Sequence, residues 1–123
     1  MNILLWILQM MLGGMFLMHG WILLRPPTEL KPEMAYIRDL PTGLRYFIGV
    51  VEILGGLGVL LPPFINVLPP ILTPIAAAGL GVVMILAAIY HIPRRETSTI
   101  PLNVIVAAIA LFVAYGRLVL FPL

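Results

Sequence analysis

Four long runs of apolar residues dominate the chain, and short proline-containing or polar segments separate them. The runs cover approximately residues 2–24, 44–61, 71–92 and 100–120. Crossing ~30 Å of hydrocarbon takes about 20 helical residues, and each run is close to that length. The pattern therefore predicts four membrane-spanning helices, called here the first to fourth spans.

Proline supports these boundaries. The first span stops before Pro26, and the second stops at Pro62. Pro74 and Pro101 fall in the first turns of the third and fourth spans, where a missing N–H group is harmless.

Composition narrows the fold class. Hydrophobic residues make up 62% of the chain and charged residues 10%, with a mean hydropathy of +1.13. Soluble domains carry roughly 25% charged residues, so this chain has too little polar surface to fold in water. We predict an all-α membrane protein, a four-transmembrane-helix bundle forming one domain over residues 1–123.

Charge and cysteine content exclude several functions. The net charge of +2 comes from scattered basic residues, whereas nucleic-acid binding needs a clustered basic patch. We therefore expect no nucleic-acid partner. The chain has no cysteine, which excludes thiol catalysis, iron–sulfur clusters and cysteine-ligated zinc. No motif for a metal or cofactor is present in the sequence, and no catalytic constellation indicates an enzyme.

In three spans, small residues share one helical face with a polar residue, a pattern typical of close packing between membrane helices. The small residues are Gly49 and Gly56 in the second span, Ala77, Gly81 and Ala88 in the third, and Ala107, Ala110 and Ala114 in the fourth. The polar residues are Glu52, His91, Asn103 and Arg117. We predict that they face the bundle interior, where they are the candidate ligand-binding residues.

Glu52 is the strongest of these candidates for a functional role, because it is the only formally charged residue between Tyr46 and Pro93. It lies ~12 Å from the start of its span. An ionised group near the membrane centre costs at least ~2.5–3.5 kcal/mol. Two interpretations stay open: a proton relay or ligand contact, and a hydrogen-bonded carboxyl that sets helix register.

The other polar residues also allow alternatives. Arg117 either extends outward to the headgroups or reaches Glu52 across ~12 Å of depth. His91 and Asn103 lie at similar depth, so they could hydrogen-bond each other or donate to a quinone carbonyl. Haem ligation by His19 and His91 is a further possibility. His19 lies off the face shared by the small residues of the first span, so its direction is open.

The loop between the first two spans is the one sizeable polar segment. A short interfacial helix could begin at Pro32, with Met34, Ile37 and Leu40 facing lipid. This loop, the loop before the fourth span and the adjoining helix ends carry six of the seven Lys and Arg residues. The positive-inside rule then places both loops in the cytoplasm and both termini outside, in the cytoplasmic membrane.

The segments GVVEILGGLGVLLPP, LTPIAAAGLGVVMILAAIYH and FVAYGR together resemble the DoxX-like membrane family, over about residues 20–117. The resemblance implies a four-helix membrane bundle. It also implies kinship with accessory proteins and with a membrane subunit of thiosulfate:quinone oxidoreductase. Many relatives read like AGxxKL where this chain has HGWILL, so His19 replaces the alanine and Leu23 the lysine.

Two functions follow as expectations. The first is a non-catalytic accessory or structural subunit of a larger respiratory or photosynthetic membrane complex, whose partners are the bilayer and other subunits or further copies of itself. The second is a quinone-interacting subunit of an oxidoreductase, with quinone as the one possible cofactor.

Overall fold

The computed structural model describes residues 2–29, 34–95 and 99–123. The helices are α1 (Asn2–Leu24), α2 (Tyr36–Asp39), α3 (Thr42–Leu60), α4 (Leu72–His91) and α5 (Thr99–Tyr115), and a π-helical turn (Gly116–Leu120) continues α5. All but the single-turn α2 are long and apolar enough to cross a membrane. The predicted all-α fold with four spanning helices is confirmed.

Glycines bring α1 and α3 into backbone contact. A Cβ atom added to Gly20 would lie 2.8 Å from the carbonyl oxygen of Gly49, and one added to Gly56 would lie 2.9 Å from that of Gly13. Because the contact partners run in opposite order along the two helices, α1 and α3 are antiparallel. Only residues without a side chain permit this separation.

The four long helices form a ring in the order α1, α3, α4, α5. The main contacts join α1 to α3 and α4 to α5, and smaller contacts join α3 to α4 and α1 to α5. The small residues predicted to pack are buried at Gly49, Gly56, Ala77, Gly81, Ala88, Ala107 and Ala110, and half-buried at Ala114. The hydrophobic core combines Ala77, Ala107 and Ala110 with larger side chains such as Phe16, Val59 and Leu80.

The segment before α3 folds back onto the bundle. The predicted interfacial helix was to begin at Pro32, which lies outside the described residues, and the helical turn observed is Tyr36–Asp39. The predicted lipid-facing side is wrong: Ile37 is 1% exposed, and Met34 and Leu40 line an internal cavity. Ile37 is covered by protein, and Met34 and Leu40 are half-buried, because α2 folds inward over the bundle.

Two polar contacts hold this segment in place. The Arg38 guanidinium donates to the Thr28 carbonyl oxygen at 2.8 Å, and that of Arg94, after α4, pairs with the Asp39 carboxylate. The loop before α3 and the end of α4 therefore meet at one end of the bundle.

Candidate intramembrane ligand site

A cavity of about 600 Å³ lies under α2, between the helix pairs. All four long helices and α2 contribute to its walls, which are mostly apolar. Its apolar residues include Met15, Phe16, Leu23, Met84 and Val106. This volume falls within the range of sites that hold small molecules.

The polar wall of the cavity begins with a hydrogen-bonded chain of three side chains. His19 Nδ1 lies 2.7 Å from Glu52 Oε2, and His19 Nε2 lies 2.7 Å from Tyr36 Oη. Glu52 is 1% exposed and the His19 side chain 27% exposed. The intramembrane carboxyl thus has a partner of opposite potential charge, as a buried ionisable group requires.

The glycine contact explains why this pair forms. Gly20 follows His19 directly, and Gly49 lies one helical turn before Glu52. Since the two glycines bring the α1 and α3 backbones together, the imidazole and carboxyl reach each other across that interface. The hydrogen-bonded chain of side chains then reaches α2 through Tyr36.

Aromatic rings extend the polar wall onto α4. The Tyr36 and His91 ring centroids lie 4.7 Å apart in an edge-to-face arrangement, and those of Tyr90 and His91 lie 5.3 Å apart. Edge-to-face contact is a favoured geometry for aromatic pairs. His91, 2% exposed, is therefore fixed against α2.

The opposite wall carries two polar side chains of α5. Thr99 and Asn103 are four residues apart, which places them on one helical face. Thr99 Oγ1 and Asn103 Nδ2 are both buried and have no hydrogen-bond partner among the described residues. Asn103 Nδ2 therefore does not donate to His91. The hydrogen bond between these two side chains that the sequence allowed is not formed by this amide nitrogen.

Arg117 lies in a separate cluster. Its Nε donates to Gln9 Oε1 at 2.8 Å, and its Nη1 donates to Asn2 Oδ1 at 2.7 Å. Its guanidinium also sits 4.7 Å from the centre of the Trp6 ring. Arg117 is 3% exposed, so neither the extension to the headgroups nor the pairing with Glu52 is observed. The amide of Gln9 and the side chain of Asn2 bind two of its nitrogens within the bundle, and Nη2 is buried without a hydrogen-bond partner among the described residues.

The predicted site residues thus divide into two groups. Glu52, His91 and Asn103 line one cavity, and Arg117 does not. Four further polar residues of the cavity were not predicted as site residues: His19, Tyr36, Tyr90 and Thr99. His19 was considered only as a haem ligand whose direction was open, and Tyr36, Tyr90 and Thr99 received no role in the site.

The chemistry of this wall favours hydrogen bonding over metal binding. No cluster of three or more His, Cys, Asp or Glu residues suited to a metal ion occurs within the described ranges. Both ring nitrogens of His19 are engaged, so haem ligation by His19 would break the bonds to Glu52 and Tyr36. The cavity instead presents an acid–base chain on one side and unpaired polar atoms on the other.

Comparison with known proteins agrees with this architecture. The model of the DoxX-like family matches residues 7–113, which is most of the chain; the match contains α3 and α4 in full and most of α1 and α5. Comparison with curated proteins gave no match, and neither did comparison with solved structures. With four helices that can cross a bilayer, the chain is a multi-pass integral membrane protein. It belongs to the DoxX-like family.

Proposed function

We propose that this protein binds a lipid-soluble ring compound with carbonyl or hydroxyl oxygens, of the quinone class, in the cavity beneath α2. The observation that carries the proposal is the pair of unpartnered buried atoms, Thr99 Oγ1 and Asn103 Nδ2, on an otherwise apolar wall. A buried donor without a partner costs about 1–3 kcal/mol, and an oxygen atom of a ligand would remove that penalty.

The mouth of the cavity suits a ligand that arrives from the membrane. Phe47 of α3, Leu86 of α4 and Leu102 of α5 line the cavity, and each is more than half exposed on the outer surface. In a bilayer such surfaces face lipid tails. A compound dissolved in the hydrocarbon could therefore reach the cavity sideways, without crossing water.

Binding should depend on the Asn103 amide. Asparagine and leucine have similar shapes, so Asn103→Leu removes the hydrogen bond to the ligand and retains the packing. We expect the Kd for an alkylated naphthoquinone to rise about tenfold, corresponding to a lost hydrogen bond of roughly 1.4 kcal/mol. Equilibrium dialysis of the full chain in mild detergent measures it.

Asn66→Leu is the matched control, because Asn66 is exposed in the loop between α3 and α4. It should leave the Kd unchanged. Equal affinity in the wild type and Asn103→Leu would contradict the proposal, as would a wild type that retains no quinone at all. Membership of a larger complex, as an accessory subunit, stays a prediction that co-migration in the same detergent preparation can test.

The cavity end of the bundle is proposed to face the cytoplasm. Arg25, Arg38, Arg45, Arg94 and Arg95 lie at that end, whereas Arg117 is buried at the other. The positive-inside rule supports this orientation.

Because the chain has no native cysteine, single cysteines can report the orientation directly. With a membrane-impermeant maleimide, we expect Asn66→Cys to be labelled in intact cells and Glu29→Cys only after lysis. The reverse labelling pattern would invert the topology.

A further inference from the structure

We propose that Tyr36, His19 and Glu52 form an acid–base relay that takes up the proton of a ring hydroxyl on the ligand in the cavity. The inference rests on the proposed function and narrows the ligand class. The ligand would be a phenol or quinol with an ionisable hydroxyl group, rather than any apolar ring with an oxygen atom.

The geometry of His19 supports a relay rather than a simple structural pair. Each ring nitrogen has one oxygen partner at 2.7 Å, Glu52 Oε2 on one side and Tyr36 Oη on the other. A neutral imidazole has one donor and one acceptor nitrogen. If Nδ1 donates to the carboxylate, Nε2 accepts from the Tyr36 hydroxyl, so Glu52 sets the tautomer that makes Nε2 the base.

The position of each group matches its role. All three side chains line the cavity, and both ring nitrogens of His19 are already hydrogen-bonded, so we place the ligand hydroxyl at Tyr36 Oη. Glu52 is 1% exposed and contacts His19 Nδ1, so it can stabilise an imidazolium with little contact to water. Tyr36 therefore exchanges the proton, His19 holds it, and Glu52 is a positioning residue.

The step conserves protons and needs no electron donor. The ligand O–H bond breaks and its proton goes to Tyr36 Oη, while the Tyr36 O–H bond breaks and its proton goes to His19 Nε2. The products are a ligand oxyanion that accepts a hydrogen bond from Tyr36 and an imidazolium paired with the Glu52 carboxylate. Charge-assisted hydrogen bonds at both ends stabilise this state.

Further polar and charged side chains near the relay come from α3, α4 and α5. Among the described residues, Tyr90 and His91 are the titratable side chains of α4 that line the cavity, and the polar side chains of α5 that line it are the neutral Thr99 and Asn103. Near the relay on α3, the Arg45 guanidinium donates to the Leu23 carbonyl oxygen. Arg94 is paired with Asp39.

An alkylated hydroxynaphthoquinone tests the relay, because its anion absorbs at a longer wavelength than its neutral form. The full chain in detergent is saturated with this probe and titrated with acid and base. We expect half-ionisation of the bound probe about one pH unit lower in the wild type than in Tyr36→Phe, a roughly tenfold change in the ionisation equilibrium. Glu52→Gln should move the midpoint in the same direction as Tyr36→Phe.

Tyr90→Phe is the matched control, since it also removes a hydroxyl from the cavity wall but lies outside the relay. Its midpoint should equal that of the wild type. Equal midpoints in wild type and Tyr36→Phe, with full probe occupancy in both, would overturn the relay and leave the binding function intact. A wild type that does not retain the probe would overturn both.

Discussion

Gly20→Val is expected to destabilise the bundle by about 3 kcal/mol. A Cβ atom at this position would lie 2.8 Å from the Gly49 carbonyl oxygen, which is backbone and cannot rotate away. Overpacking usually costs about 1–3 kcal/mol, and a branched side chain against a fixed backbone belongs at the upper end. Detergent-induced unfolding in mixed micelles measures the change in free energy.

Gly14→Val provides the control on the same helix. Gly14 is exposed, and a Cβ atom there would meet nothing within 4 Å. This variant should unfold within about 0.5 kcal/mol of the wild type, the range of ordinary surface changes. If both valine variants lost the same stability, helix propensity rather than the α1–α3 contact would explain the effect.

His19→Leu is expected to destabilise the protein by a similar amount, about 3 kcal/mol, because it leaves the Glu52 carboxyl buried without its partner. Replacing the whole of a buried pair by apolar residues is often nearly neutral. The double variant His19→Leu/Glu52→Leu should therefore be more stable than His19→Leu alone. The same unfolding assay measures the free energy of unfolding of the wild type, His19→Leu, Glu52→Leu and the double variant.

The double-mutant cycle separates pairing from general packing. We expect a coupling energy of about 1–3 kcal/mol between His19 and Glu52, as for other contacting polar pairs. Met18→Leu is a useful reference, since Met18 is next to His19 but exposed. Additive effects in the cycle would mean that the 2.7 Å contact contributes nothing to stability.

The spanning helices could be predicted because their cause is local. A run of about 20 apolar residues must satisfy its backbone hydrogen bonds internally in lipid, and a helix does so whatever its neighbours are. The small residues of α3, α4 and α5 likewise indicated buried faces, because close approach needs small side chains on the approaching helix itself. Both signals are contained in one segment at a time.

The candidate site was predictable only in part. Glu52, His91 and Asn103 were identified because polar residues in apolar spans stand out against their surroundings. Arg117 was grouped with them despite a difference in depth of ~12 Å from Glu52, and the structure places it near Asn2 and Phe121 at the opposite end of the bundle. Residues that share one face of a helix can still lie far apart along the helix axis.

His19 and Tyr36 were missed for different reasons. His19 does lie close in depth to Glu52, counted from the shared loop, and it occupies the position where this chain departs from the family's AGxxKL pattern. The similar depth and the departure from the pattern could both have indicated that His19 belongs to the site. Tyr36 sits in the predicted interfacial helix, whose apolar side was expected to face lipid, so nothing local indicated that α2 would fold inward and bring its hydroxyl to His19.

The sequence by itself determined the number of spans, their approximate ends and the need to shelter a carboxyl within the second span, because each follows from the transfer of one segment into lipid. Only the tertiary structure decided which group shelters it. The Gly20–Gly49 contact places His19 against Glu52, and the inward fold of α2 adds Tyr36. These pairings depend on distances between segments far apart in the chain, which no single run of residues specifies.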